Sequence, residues 1–73
     1  MKWHSGKEQP KKTGWYVRDY REHKTEEFPH EFCVDYFDST FWYAFELNQR
    51  NGKIEMNDAY YTDLPWAKIK DYK

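Results

Sequence analysis

The sequence predicts a mainly β protein: a small antiparallel sheet or an SH3-like partial barrel of about five strands, with at most one short helical turn. Two apolar runs alternate with a period of two residues, Asn51-Gly52 is a strong hairpin-turn signal, and aromatic residues make up 22% of the chain. At 73 residues the chain has room for one core, so residues 1–73 are expected to form a single β-rich domain. Aromatic rings must fill that core, because a lone cysteine allows no intrachain disulfide.

The first strand is expected within residues 13–20, TGWYVRDY. Alternation places Trp15 and Val17 toward the core and Tyr16, Arg18 and Tyr20 outward. Residues 21–30 are polar and predict a loop.

The central hairpin joins two alternating runs, residues 32–37 and 42–47, around Ser39-Thr40. A two-residue turn and a four-residue loop over residues 38–41 give the same register and are equally acceptable. This register places three apolar pairs on the predicted core face: Tyr36 with Tyr43, Val34 with Phe45, and Phe32 with Leu47. The opposite face then carries Phe37 beside Trp42, Asp35 beside Ala44, and Cys33 beside Glu46. In a barrel this face is in solvent, whereas in a small open sheet the N-terminal arm with Trp3 or the last segment with Tyr60 and Tyr61 is available to cover it.

The strand that follows Asn51-Gly52 carries Ile54 and Met56 opposite Leu47 and its neighbours, which keeps the core face continuous. Residues 57–63 predict either one helical turn or a loop. The segment LPWAKIKDY predicts a short last strand with Trp66 and Ile69 as anchors, and its proline confines it to a sheet edge or a strand start.

Charge is unevenly distributed along the chain. Residues 1–12 carry four lysines against one glutamate and are expected to form a basic N-terminal arm. Residues 31–48, the most aromatic block, carry four carboxylates and no Lys or Arg. Nucleic-acid recognition needs aromatic and basic residues on the same surface, so this pattern disfavours nucleic acid as the main partner.

No motif for catalysis or cofactor binding occurs in the sequence. His30 and Cys33 have the spacing of half a zinc site, but a second ligand pair is missing, so no metal is expected. The glycines are isolated, which excludes a phosphate-cradling loop. We therefore expect neither enzymatic activity nor a cofactor. A single cysteine, no signal-peptide pattern and no apolar spanning segment predict a cytoplasmic protein without membrane insertion.

The order of landmarks resembles that of small phage and prophage proteins grouped as domain-of-unknown-function family 551. The matching pieces are Trp3, Pro10, the segment Tyr36-Phe37-Asp38, Trp42, and Trp66 with Ile69. The sequence departs from the family pattern where Pro65 precedes Trp66 and where no proline-rich end follows. The resemblance implies a phage-linked accessory protein in the host cytoplasm, and it carries over no functional residues.

These observations predict a non-catalytic protein-binding module, with a host factor or a host defence component as the target. The predicted binding residues are the outward rings Phe37 and Trp42, the adjacent Asp35 and Glu46, and Tyr16 on the first strand. The acidic rim favours a partner with a basic surface, and self-association into a homodimer is the other form of this prediction. A small nucleic-acid-binding barrel is the alternative function, and an aromatic carbohydrate-binding surface ranks third.

Overall fold

The computed structural model describes residues 2–27, 29–48, 50–59 and 61–71, with the backbone alone for residues 46–48 and 71. It contains five strands: β1 (Gly14–Asp19), β2 (Phe32–Phe37), β3 (Trp42–Asn48), β4 (Lys53–Asp58) and β5 (Trp66–Lys68). They form one open sheet in the order β4-β3-β2-β1-β5, and all neighbouring strands are antiparallel. The predicted mainly β fold class is confirmed, as an open sheet.

Helical structure in the described residues is limited to two 3-10 turns, Arg21–His23 and Ile69–Asp71. Among the described residues, no helix is long and apolar enough to cross a membrane. The stretch 57–63 contains no helical turn in its described part, because Asn57 and Asp58 belong to β4. Ile69 was predicted to anchor the last strand, and this was wrong: it begins the second 3-10 turn and is exposed.

The β2–β3 hairpin has the predicted register, with Tyr36 opposite Tyr43 and Phe37 opposite Trp42. Its connection is the four-residue loop, closed by Asp38, whose Oδ1 accepts the backbone N–H groups of Thr40 at 2.8 Å and of Phe41 at 2.7 Å. Two further pairs were predicted farther from the loop, Val34 with Phe45 and Phe32 with Leu47. They are not among the residue pairs of the β2–β3 ladder.

The β3–β4 hairpin confirms the second predicted turn. Gly52 has φ of +70°, a conformation that suits glycine, and the Oδ1 of Asn51 accepts the N–H of Lys53 at 2.9 Å. Ile54 pairs with Leu47, and Met56 pairs with Phe45, as the sequence predicted.

The structure reverses the predicted assignment of the two sheet faces. One face, which we call the covered face, is buried and carries Tyr16, Arg18, Asp35, Phe37, Trp42 and Trp66. The other, which we call the open face, carries Trp15, Val34, Tyr36, Tyr43, Phe45, Ile54 and Met56 and was predicted to be the core. Alternation shows which residues share a face, but it does not show which face receives the rest of the chain.

The segment between β4 and β5 lies over the covered face. Its first residue, Ala59, still continues the β3–β4 ladder, with its N–H donating to the Trp42 carbonyl at 2.9 Å; farther along, the Tyr61 carbonyl accepts a hydrogen bond at 3.0 Å from Nη2 of Arg18 on the covered face. Ala59 and Leu64 of this segment are buried, and Ala59 packs in the core cluster with Trp42 and Trp66. The core therefore forms on the face that this segment covers.

The N-terminal segment is joined to the sheet edge. His4 forms a β-bridge with Trp66, and its ring stacks on the Trp66 indole with centroids 4.2 Å apart, which places His4 on the covered side. Alternation turns Trp3 to the opposite side, where its ring stacks on Phe32 at 5.7 Å. Val17 and Ala67, also on that side, are buried, so the open face is closed near β5 and exposed at Trp15 of β1 and over β2 to β4.

Candidate binding surface

A charged pair is buried at the centre of the covered face. Nη1 of Arg18 donates to Oδ2 of Asp35 at 3.1 Å, and the Tyr20 hydroxyl donates to the same carboxylate oxygen. The Arg18 guanidinium also lies over the Trp42 ring, 4.2 Å from its centroid. These contacts compensate the two charges where no solvent reaches them.

Burial shifts the pKa values of both acidic partners in this cluster upward. Desolvation raises the pKa of Asp35 above its usual range, while the hydrogen bond from Tyr20 and the charge of Arg18 act in the opposite direction. Desolvation also raises the pKa of Tyr20, and its bond to Asp35 adds to the rise. The phenol therefore stays protonated and remains a donor to the carboxylate.

This cluster changes the outcome for the predicted binding residues. Phe37, Trp42, Asp35 and Tyr16 are all buried, so the prediction that they face outward was wrong. The strand backbone carries Glu46 on the same side of β3 as Trp42, and its side chain lies outside the described part of the chain. Four of the five residues thus build the core and present no surface to a partner.

The exposed apolar side chains lie instead on the open face. Their exposed fractions are 44% for Trp15, 47% for Val34, 41% for Phe45, 70% for Ile54 and 50% for Met56. These residues come from β1, β2, β3 and β4, and the strand registers bring them to one side of the sheet. Isolated apolar residues are normal on a protein surface, but a group on one sheet face is a candidate interaction surface.

Aromatic rings stiffen the middle of the open face. The Trp15 ring stacks on Phe45 with centroids 4.8 Å apart and an interplanar angle of 25°. Trp15 also meets the half-buried Tyr36 edge to face, at 5.0 Å. Rings held by each other lose little conformational freedom when a partner covers them, which favours binding.

Two carboxylates border the open face at β3 and β4, while at β1 the Arg21 guanidinium lies over Phe32, 5.2 Å from its ring centroid, and is paired with Asp19. Asp58 pairs with Tyr43 across the β3–β4 ladder and is exposed. The Tyr43 hydroxyl donates to Oδ2 of Asp38 at 2.9 Å, which places a second carboxylate at the hairpin end. The backbone N–H groups of Phe41 and Thr40 lower the pKa of Asp38, so it carries its charge at neutral pH. In the described strands, no Lys or Arg occupies a register position on this face.

Metal and thiol chemistry have little support in the described residues. No three His, Cys, Asp or Glu side chains among them come together in a way that could hold a metal ion. Cys33 is half-buried on the covered side of β2, and burial raises its pKa, which lowers the thiolate fraction that nucleophilic chemistry requires.

The sequence reasoning missed Trp15, Val34, Phe45, Ile54 and Met56 as surface residues because both faces of the hairpin are apolar or aromatic. One signal points to the correct face: Arg18 and Asp35 have opposite charges and share one face of neighbouring strands, so they can pair in a core.

The fold and surface together define an open antiparallel β sheet with one covered face and one aromatic open face. Comparison of the chain with family models, with curated proteins and with solved structures gave no match.

Proposed function

We propose that this protein is a non-catalytic protein-binding module that contacts its partner through the open face. The observation that carries the proposal is the group of five exposed apolar side chains on one side of the sheet, centred on the stacked pair Trp15 and Phe45. Aromatic residues that are held rigid and partly exposed are typical of interface anchors.

The proposed partner presents an apolar patch flanked by basic residues. Asp58 and Asp38 border the open face, and its described strand positions supply no positive charge. Complementary charge at the rim speeds association and excludes wrong partners, while the apolar centre supplies most of the affinity. A second copy of this chain, meeting the same face, is the other form of the proposal.

The alternative function, a nucleic-acid-binding module, has weaker support on this face. Ring stacking on bases works together with positive charge that tracks the phosphate backbone. Here the exposed rings are bordered by carboxylates. A role as a phage accessory protein, the target in a host factor or defence component, and a cytoplasmic location remain proposals that rest on the sequence alone.

The test compares a lysine placed in the open face with a lysine placed on the opposite side of the sheet. Ile54→Lys adds a charge on the open face at a site that is 70% exposed, whereas Thr62→Lys adds the same charge at an exposed site of the segment that lies over the covered face. Both variants should keep a wild-type melting temperature within a few degrees, because both side chains are exposed. Affinity capture from the native cell and sedimentation velocity then report hetero-association and self-association.

We expect a partner, or a dimer, that is retained by the wild type and by Thr62→Lys and lost by Ile54→Lys. A loss of about 2 kcal/mol or more in binding free energy is the range for a buried interface anchor. If Ile54→Lys binds as well as Thr62→Lys, the open face is not the binding surface.

A further inference from the structure

The two basic ends of the chain meet in one cleft. Lys11 and Lys12 of the N-terminal segment and Lys68 of β5 line a cleft of about 330 Å³. Lys68 is the cross-strand neighbour of Tyr16, so it is held at the sheet edge. The sequence showed two separate basic termini, and the fold converts them into one concave basic site.

Two hydrogen bonds from the cleft floor fix the position of the N-terminal wall. The Trp66 indole Nε1–H donates to the Glu8 carbonyl at 2.6 Å, and the Tyr16 hydroxyl donates to the Lys12 carbonyl at 2.7 Å. Both rings are buried, so these bonds hold residues 8–12 against the sheet. The lysines of this wall therefore extend from an anchored backbone.

Lysines outnumber carboxylates in the described lining of the cleft. Glu8 is the one carboxylate among the described lining residues, and its Oε2 lies 2.9 Å from Nδ1 of His4. Three lysines therefore face one carboxylate that has a partner, in a chain whose net charge is −1. The cleft is a local concentration of positive charge on the side of the sheet opposite the open face.

We propose that this cleft binds the phosphoryl group of an anionic ligand, supplied either by a small phosphate-bearing molecule or by a nucleic-acid backbone. Lys ammonium groups bind phosphate as compact point charges, whereas planar carboxylates are best matched by the fork of Arg, and no described lining residue is Arg. The floor rings Trp66 and Tyr16 are buried and leave no flat surface for base stacking. Recognition is therefore of the phosphate and independent of base sequence.

The direct test is a ¹H–¹⁵N NMR titration, first with pyrophosphate and separately with a short single-stranded DNA. Binding should shift the amide signals of residues 11, 12 and 68 and the Trp66 indole N–H, whose bond to the Glu8 carbonyl forms the floor. The amides of Ile54 and Met56, on the open face, should not move. An absence of cleft shifts with both ligands overturns the proposal.

The double variant Lys12→Ala/Lys68→Ala should raise the dissociation constant about tenfold. It removes two exposed ion pairs to the phosphate, and their separate effects on the dissociation constant multiply. Lys53→Ala, which removes an exposed lysine from β4, is the matched control and should change the affinity less than twofold. Equal weakening by the two variants overturns the site assignment. Ile54→Lys should leave phosphate binding intact, so failure of the open-face proposal and failure of this one are separable.

Salt dependence identifies the source of the phosphate. For single-stranded DNA held by three lysines, the slope of log K against log salt concentration should be about −2, and each lysine removed should reduce it by about 0.7. Pyrophosphate binding at the cleft without DNA binding assigns the site to a small ligand. DNA binding whose slope is unchanged in Lys12→Ala/Lys68→Ala places the contacts elsewhere and refutes the proposal.

Discussion

Alanine substitution at Trp42 and at Phe45 distinguishes the two faces of the sheet by their free energies of unfolding. Trp42 is 5% exposed, contacts Phe37 at a centroid distance of 4.8 Å, and carries the Arg18 guanidinium on its face. Emptying a buried Trp or Phe site costs about 3–5 kcal/mol. The lost contact with a desolvated guanidinium adds up to about 2 kcal/mol. We therefore expect Trp42→Ala to cost at least 3 kcal/mol by these estimates.

Phe45 is 41% exposed and leaves no closed cavity when it is shortened, so Phe45→Ala should cost only about 1–3 kcal/mol. The whole domain is expected to have about 4–11 kcal/mol of stability. Trp42→Ala should consequently remove most of the folded population at the lower end of that range, while Phe45→Ala should remain folded.

Urea denaturation followed by circular dichroism gives both free energies, and thermal melts check them. A difference of about 2 kcal/mol between the variants corresponds to at least about 8 °C in melting temperature for a domain of this size. Equal costs, or a larger cost for Phe45→Ala, would refute the face assignment and restore the opposite one.

Three further substitutions test other parts of the structure. Asp35→Ala leaves Arg18 buried without its charge partner and should cost about 3–5 kcal/mol of unfolding free energy, measured by urea denaturation. Arg18→Met combined with Asp35→Leu should recover most of that loss. If the unfolding free energies lost by the two single variants simply add in the double variant, the pairing is contradicted. Asp38→Ala should lower the melting temperature at pH 6, and its difference from the wild type should shrink as the pH falls below 3.8. A carboxyl whose pKa is lowered in the folded state stabilises the fold above its unfolded pKa and loses that contribution on protonation. A difference that stays constant down to pH 2 would exclude this role. Gly52→Ala should cost about 1 kcal/mol by strain at φ of +70°, measured by thermal melting, and an unchanged melting temperature would argue for another turn conformation.

Local sequence signals predicted the hairpins well. Asn51-Gly52 fixes its turn through backbone conformation, and the register of Tyr36 with Tyr43 follows from a period of two residues, which short-range geometry enforces. These signals act over a few residues and do not depend on what covers the sheet.

The identity of the core face could not be derived in the same way. It depends on where residues 59–65 and the N-terminal segment pack, and those contacts join parts of the chain that are distant in sequence. The rule that charged residues face water also favoured the wrong answer, because Arg18 and Asp35 meet an exception in which each compensates the other. The cleft between the termini could not be predicted either, because it forms only when residues distant in sequence pack together.

The pairing of β1 with β5, and of His4 with Trp66, has a consequence for folding kinetics. The β2–β3 and β3–β4 hairpins close over short loops, whereas these two pairings connect opposite ends of the chain and carry a larger loop-closure entropy. The three-stranded meander is therefore expected to form early, and the joining of the ends should limit the rate. During that interval both faces of the meander are uncovered, so newly made chains are most prone to aggregate before β5 docks.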